Sequence, residues 1–305
     1  MKIPSLKNKA CLALRTSGLA FVLLIAAAAV QPVYGASTGT DGAAARPSPV
    51  QNTLTADLAG SRNPDGVMLT IGWFRKWIQE IDEHGSPSRY VQAGANLGVS
   101  PAYAKGAVYA EWGPVVFATV RLEYDLYSFF GTNSGLLSFP DARSKFGQHE
   151  LKNLEGEEET GTGQRILVQP TLYAMAGPVI IMNQTDLTYY RFNGRGPYFL
   201  DWEYEMLIQD GDSAFANRTQ FLIPAWKGEG QAVLYTGPYY EITHARDADL
   251  TRQRAGLFEY WVPADTLLCM NRPRIYSMAA FNIQDRNRQG EIYLAVGVGT
   301  DFDLN

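Results

Sequence analysis

Between Val115 and Tyr127 apolar and polar side chains alternate. Val116, Ala118, Val120, Leu122, Tyr124 and Leu126 form one row, and Thr119, Arg121, Glu123 and Asp125 form the other. A period of two marks a strand with one apolar and one polar face. At ~3.3 Å per residue this segment runs roughly 43 Å, and tilted by ~40° it still exceeds the ~25 Å apolar band of a membrane barrel. The same alternation predicts strands over Tyr90–Val99, Tyr103–Trp112, Ile166–Met175, Val179–Phe192, Tyr198–Ile208 and Ala214–Ala225. It continues over Gln231–Tyr235, Tyr239–Ala245, Gly256–Val262, Arg274–Ile283 and Ile292–Val298, about twelve strands in all. Within Tyr198–Ile208 the acidic residues Asp201, Glu203 and Glu205 oppose Tyr198, Leu200, Trp202, Tyr204 and Met206.

Three Gly-Pro pairs, Gly113-Pro114, Gly177-Pro178 and Gly237-Pro238, each follow an aromatic-containing run and precede an apolar one. Glycine permits positive φ and proline tolerates a strand's first position, so all three are predicted turns on one rim. The long polar stretch Gly131–Gln164, with its acidic run Glu155–Glu159, is predicted to lie on the other rim. Val179–Phe192 breaks the pattern, because Gln184, Asp186 and Thr188 share a row with Ile180 and Met182. A bulge near Asn183 would restore it.

The N-terminal third reads differently. Lys2, Lys7, Lys9 and Arg15 precede the apolar run Leu19–Val30 and the small residues around Ala36, the pattern of a secretory signal peptide over residues 1–36. Residues 37–65 are rich in Ala, Gly, Ser, Thr and Pro without a sustained period, as in a flexible linker. In residues 66–85 Val67, Ile71, Phe74, Ile78 and Ile81 recur at helical spacing, with Asp65 and Gly85 placed as caps. An amphipathic helix is predicted there, either plugging or lying at the interface with Trp73 and Trp77 at headgroup level, or packing on a barrel rim.

Charge and chemistry narrow the function classes. Residues 1–36 hold four basic and no acidic residues, so the remainder carries 22 basic against 31 acidic groups, a net charge of −9. An acidic exported chain without a basic cluster is a poor nucleic-acid partner. Cys11 falls in the signal peptide and leaves Cys269 without an intramolecular partner. No zinc-protease, CxxC, P-loop or dinucleotide motif occurs, and His84, His149 and His244 lack companions at metal-ligand spacing, so no cofactor is implied. His244 has no serine motif beside it, which disfavours hydrolysis.

From residue 88 to 305 the chain resembles a bacterial outer-membrane β-barrel. That resemblance implies an all-β, antiparallel up-and-down transmembrane barrel, with outer-membrane lipids and the barrel-assembly machinery as partners and small solutes or ions as cargo. One departure is the C-terminus, where Phe302 is followed by Asp303-Leu304-Asn305. The polar rows then become lumen-lining candidates: Lys105, Glu111, Arg121, Glu123, Asp125, Arg165, Asp201, Glu203, Glu205, Arg218, Glu259 and Arg274. Confined charges must pair or line water, so the interior is either a closed ion-pair network or a narrow channel. An outer-membrane lipid enzyme and a soluble exported β-sandwich binding protein are the alternatives, the latter because sandwich strands alternate in the same way.

Overall fold

The computed structural model describes residues 49–82, 86–133, 135–228, 232–263, 266–267 and 270–304. The proposed signal peptide, His84 and Cys269 lie outside the described residues. The chain begins with β1 (Val50–Arg62), β2 (Gly66–Ile81), β3 (Pro87–Val99), β4 (Tyr103–Val115) and β5 (Ala118–Phe130). A two-residue strand β6 (Ser138–Phe139) and a short helix α1 (Gln148–Asn153) follow, then β7 (Thr160–Ala176) and β8 (Val179–Phe192). Next come two four-residue strands, β9 (Tyr198–Asp201) and β10 (Met206–Gln209). The chain continues with β11 (Ser213–Lys227), β12 (Val233–Ala245) and β13 (Leu250–Val262). After the two-residue strands β14 (Thr266–Leu267) and β15 (Met270–Asn271) it ends in β16 (Arg274–Gln284) and β17 (Ile292–Asp303).

Twelve of these strands close into one antiparallel barrel in the order β1-β17-β16-β13-β12-β11-β8-β7-β5-β4-β3-β2, with β2 paired back to β1. Closure removes every unpaired edge, the condition for a sheet to cross hydrocarbon. Outward rows are largely apolar: Leu122, Leu126, Val108, Leu187, Leu257 and Phe281 all face away from the interior, with a hydrogen-bonded patch of Asn183, Thr185, Asn217 and Thr219 on the outer face of β8 and β11. Trp77, Trp112, Phe117, Trp226 and Trp261 cluster outward near one rim, as in an interfacial aromatic girdle. That turn rim carries the Val116-Phe117 and Gly177-Pro178 turns and both ends of the barrel sheet. The opposite loop rim carries residues 131–159 and 193–212.

The strand number agrees with the alternation, but its composition does not. Val50–Arg62 and Gly66–Ile81, expected as linker and helix, are barrel strands paired over most of their length. The helical spacing in β2 arises because both its faces carry apolar groups. Leu69, Ile71, Trp73 and Trp77 point outward, while Phe74 and Ile78 lie half-buried on the inward row. A lipid-facing row laid over an apolar luminal row conceals the period of two. Conversely, the expected strands before and after Gly237-Pro238 are one strand, β12 (Val233–Ala245), and Tyr198–Ile208 does not cross the barrel at all.

Of the three Gly-Pro pairs only Gly177-Pro178 is a turn, with Gly177 at φ +61°. Gly113-Pro114 lies within β4, where the register with β5 shifts between Trp112 and Val115, and a Cβ on Gly113 would meet the Tyr90 ring. Gly237-Pro238 lies inside β12, and a Cβ on Gly237 would strike the Phe221 carbonyl of β11. These glycines serve close backbone approach, and the prolines sit at outward or irregular ladder positions. No bulge interrupts β8 at Asn183: its pairing with β11 runs unbroken from Leu222↔Ile180 to Ser213↔Tyr189. Ile180, Met182, Gln184, Asp186, Thr188 and Tyr190 therefore form one mixed inward row.

Candidate functional site: an interior plug held by ion pairs

Residues 193–212 leave the loop rim and fold into the lumen as a small hairpin. Strand β9 pairs with β10 from Gln209↔Tyr198 to Met206↔Asp201, and β6 adds a third short strand. Its body is apolar. Phe199, Leu200, Met206, Leu207 and Ile208 are buried against Leu136, Leu137 and Phe139 of the long loop and Tyr127, Phe129 and Tyr190 of the wall. The Phe192 and Phe199 rings have centroids 3.6 Å apart. Each such side chain contributes about 1.5–3 kcal/mol on burial, so this packing anchors the insertion.

The hairpin tip, Trp202-Glu203-Tyr204-Glu205, is where polarity begins. Glu203 accepts from Lys105 Nζ on β4 at 2.8 Å and pairs with Arg165 of β7 at 2.5 Å. Arg165 also bonds Asp125 at 2.6 Å, and Arg121 bonds Glu111 at 3.0 Å and approaches Glu123 at 3.6 Å. These groups form one ladder across β4, β5 and β7. Arg121 is further held over the Tyr109 ring at 4.1 Å.

Glu205 faces a different set. Its Oε2 lies 2.7 Å from Arg254 Nη2, 3.1 Å from Arg252 Nη1 and 3.4 Å from Arg288 Nη1. Arg252 and Arg254 belong to β13 and Arg288 to the loop after β16. Arg254 stacks 3.6 Å from the Tyr293 ring centroid and donates its Nε proton to Asn282 at 3.1 Å. Arg252 also pairs with Glu241, which is bonded by Arg218 at 3.0 Å, and Arg218 reaches Asp186 at 2.7 Å. Tyr204 donates to Asp186 at 3.0 Å. Glu205 holds this position at φ +52°, a left-handed backbone that non-glycine residues adopt at a cost.

Outside the membrane-spanning strands, two carboxyls of the hairpin are displaced in opposite directions. Burial alone would raise Glu203, but Arg165 and Lys105 hold it well below the usual carboxylate range. Burial, then the adjacent Glu203 charge, pushes Asp201 up to about 6.

The structure sorts the sequence candidates. Lys105, Glu111, Arg121, Glu123, Asp125, Arg165 and Arg218 project inward and converge on the two networks. Arg274 projects inward apart from them, between Asp57 at 2.8 Å and Asp301 at 2.5 Å. Asp201, Glu203 and Glu205 are inside the barrel but on the hairpin, not on the wall. Asp201 folds the tip by accepting the Tyr204 backbone N–H at 2.7 Å. Glu259 does not line the lumen: it shares the outward row with Leu257 and Trp261 and accepts from Ser277 Oγ at 2.9 Å. The inward row there is Phe258 and Tyr260, so an interior filled with aromatics inverts the rule that polar means inside.

The alternation missed Asp186, Glu241, Arg252, Arg254 and Arg288. Arg252 and Arg254 sit in Thr251-Arg252-Gln253-Arg254, where both rows are polar and no period shows. His244 lies on β12 with Nδ1 3.0 Å from Thr251 Oγ1, and His149 lies in α1. Among the described residues no group of three or more His, Cys, Asp or Glu is placed to hold a metal.

Fold and interior together define a transmembrane-type β-barrel with an inserted, ion-paired plug. No protein-family model matches the chain, and no curated protein matches it. Among solved structures it is similar to the β domain of a Bordetella autotransporter, with 9% identity, TM-score 0.45, and 83% of this chain and 99% of that one covered. It is also similar to the KdgM porin, with 6% identity, TM-score 0.38, and coverage of 82% and 99%. An outer-membrane channel from Pseudomonas putida F1 has 8% identity, TM-score 0.41, and coverage of 87% and 100%. The likeness is one of barrel architecture, and the chemistry of this interior belongs to this chain's own residues.

Proposed function

We propose that this chain is an outer-membrane conduit held closed at rest by its own hairpin. The observation that carries this reading is the tip of the plug, where Glu203 and Glu205 bind opposite walls through charges rather than through apolar packing. In the closed-barrel order β4 and β13 are six strands apart, so the tip spans the lumen's full width. Buried ion pairs are poor static fillers, because an apolar replacement of the same shape is often as stable or more so. They suit a contact that exchanges for water and solute ions when the hairpin withdraws. Outer-membrane residence is supported by the closed sheet, its apolar exterior and the interfacial tryptophans.

A second reading is a permanently plugged structural barrel. The apolar body of the hairpin favours it, with Leu207 and Ile208, and Leu136 of the long loop against them, wholly enclosed. Planar-bilayer recording separates the two. Wild-type protein purified from membranes in detergent, and migrating as a heat-modifiable species, is expected to be mostly silent with brief openings. Glu203→Gln, which removes the hold on β4 and β7, is expected to open it far more often. Silence in both, with normal assembly, would leave the structural barrel.

A further inference from the structure

The three guanidiniums around Glu205 form a built anion site that the chain fills with its own carboxylate. Arg252, Arg254 and Arg288 are almost fully enclosed, at 3%, 2% and 1% side-chain exposure, and all converge on one oxygen of Glu205. Their orientation is fixed by other contacts, for Arg254 by the Tyr293 ring and Asn282. The Arg288 segment is turned inward by Asp285, whose Oδ1 accepts the Arg288 N–H at 2.9 Å. The site therefore does not need Glu205 to shape it. It also has donors to spare, because Arg252 Nε and Arg288 Nε find no hydrogen-bond partner among the described residues. Buried donors without partners are unfavourable, and a ligand with more acceptor oxygens than one carboxylate would use them. Glu205, in contrast, reaches the site only through a left-handed backbone.

We infer that Glu205 is an internal stand-in for an anionic solute, so that the open conduit selects anions and binds a polycarboxylate or phosphate-bearing solute at Arg252, Arg254 and Arg288. This inference rests on the gated-conduit reading. Withdrawing Glu205 leaves Arg252 and Arg254 facing Glu241, a carboxylate that Arg218 also shares, and Arg288 beside Asp285. The constriction on that wall is then net cationic, and a ring of fixed positive charge raises the local anion concentration and repels cations. An anion arriving there competes directly with the plug for the same donors, so cargo and opening are linked.

The test is single-channel recording of Glu205→Gln under a potassium chloride gradient, with citrate as the probe. Openings are expected at least ten times as often as in wild type, with a reversal potential displaced toward that of chloride. Millimolar citrate is expected to reduce the chloride current, and Arg254→Gln in the same background to weaken that block at least tenfold. An assembled, conducting Glu205→Gln barrel that prefers potassium, or that citrate leaves untouched, overturns the anion site while the conduit stands. Assembled Glu205→Gln and Glu203→Gln/Glu205→Gln barrels that never conduct overturn the conduit reading and this inference with it. If Glu205→Gln fails to assemble, Glu203→Gln frees the hairpin from the opposite wall and its reversal potential and citrate block are read in the same way.

Discussion

Glu203 and Glu205 stand two residues apart on one hairpin tip, yet their carboxylates are bonded to opposite walls of the barrel. Glu203 lies 2.8 Å from Lys105 of β4, and Glu205 lies 2.7 Å from Arg254 of β13. Tyr204 between them reaches a third wall strand, β8, through Asp186. A four-residue tip thus ties together parts of the sheet that share no ladder. Loss of either carboxylate strands buried cations, which links the position of the plug to the charge state of the interior.

Plug position should therefore depend on pH. Asp201, pushed up to about 6 by burial and by Glu203, is opposed by Arg165, Lys105 and the Tyr204 N–H. A docked hairpin then holds a proton that a withdrawn one, with Asp201 in water, releases between about pH 4 and 6, so rising pH through that window disfavours docking. Glu203 has the opposite sign: its carboxyl is depressed in the docked state, and its contribution is lost as pH falls below the ordinary carboxylate range. Open probability is expected to be lowest near about pH 4, where the two windows meet, and to rise on both sides. Asp201→Asn is expected to abolish the rise toward neutral pH and leave the acid limb, as measured by bilayer recording across the range.

Leu122 faces outward at 55% exposure in mid-strand, whereas Thr119 lies on the inward row of β5. Arginine at Leu122 should cost roughly 2–4 kcal/mol, the penalty of a cation near the bilayer midplane. Arginine at Thr119 should cost much less. Urea unfolding in lipid vesicles measures both, and equal effects would contradict the assignment of faces.

Arg121 sits between Glu111 at 3.0 Å and Glu123 at 3.6 Å. Arg121→Glu puts three carboxylates together in an enclosed space, and the expected result is failed assembly, a loss of roughly 3–5 kcal/mol or more, rather than a barrel of altered selectivity. The pair Arg121→Glu with Glu111→Arg should recover part of the heat-modifiable species.

Glu155, Gly156 and Glu157 are exposed on the long loop that returns to β7, on the rim opposite the Gly177-Pro178 turn. A protease of broad specificity added to intact cells should cut there and leave the β4–β5 turn at Val116-Phe117 whole. Cleavage only after the outer membrane is opened would place the loop rim in the periplasm.

How much of this was legible depends on what each row of side chains faces. From Thr119 to Leu126 in β5 the lipid row and the charged row differ in polarity at every step, so Leu122 and Arg121 declare their sides without coordinates. In β2, β8 and the turn-rim half of β13 the inward row itself carries apolar side chains, Phe74, Ile78, Met182, Phe258 and Tyr260. There the two rows look alike, and β2 takes on the spacing of a helix. Tyr198–Ile208 misleads in the other direction, because a hairpin folded into the lumen alternates like a spanning strand.

By itself the sequence determined a largely antiparallel β chain with about twelve alternating segments and the faces of β5, since alternation is a local property enforced by water on one side and hydrocarbon on the other. Only the tertiary structure decided which strands close the barrel, that Glu259 lies outside, and that Glu205 meets Arg252, Arg254 and Arg288 inside. Those partners are up to 83 residues away in the chain. Their meeting depends on barrel closure and on a loop folding back into the space it encloses, and no local periodicity encodes a contact made across that space.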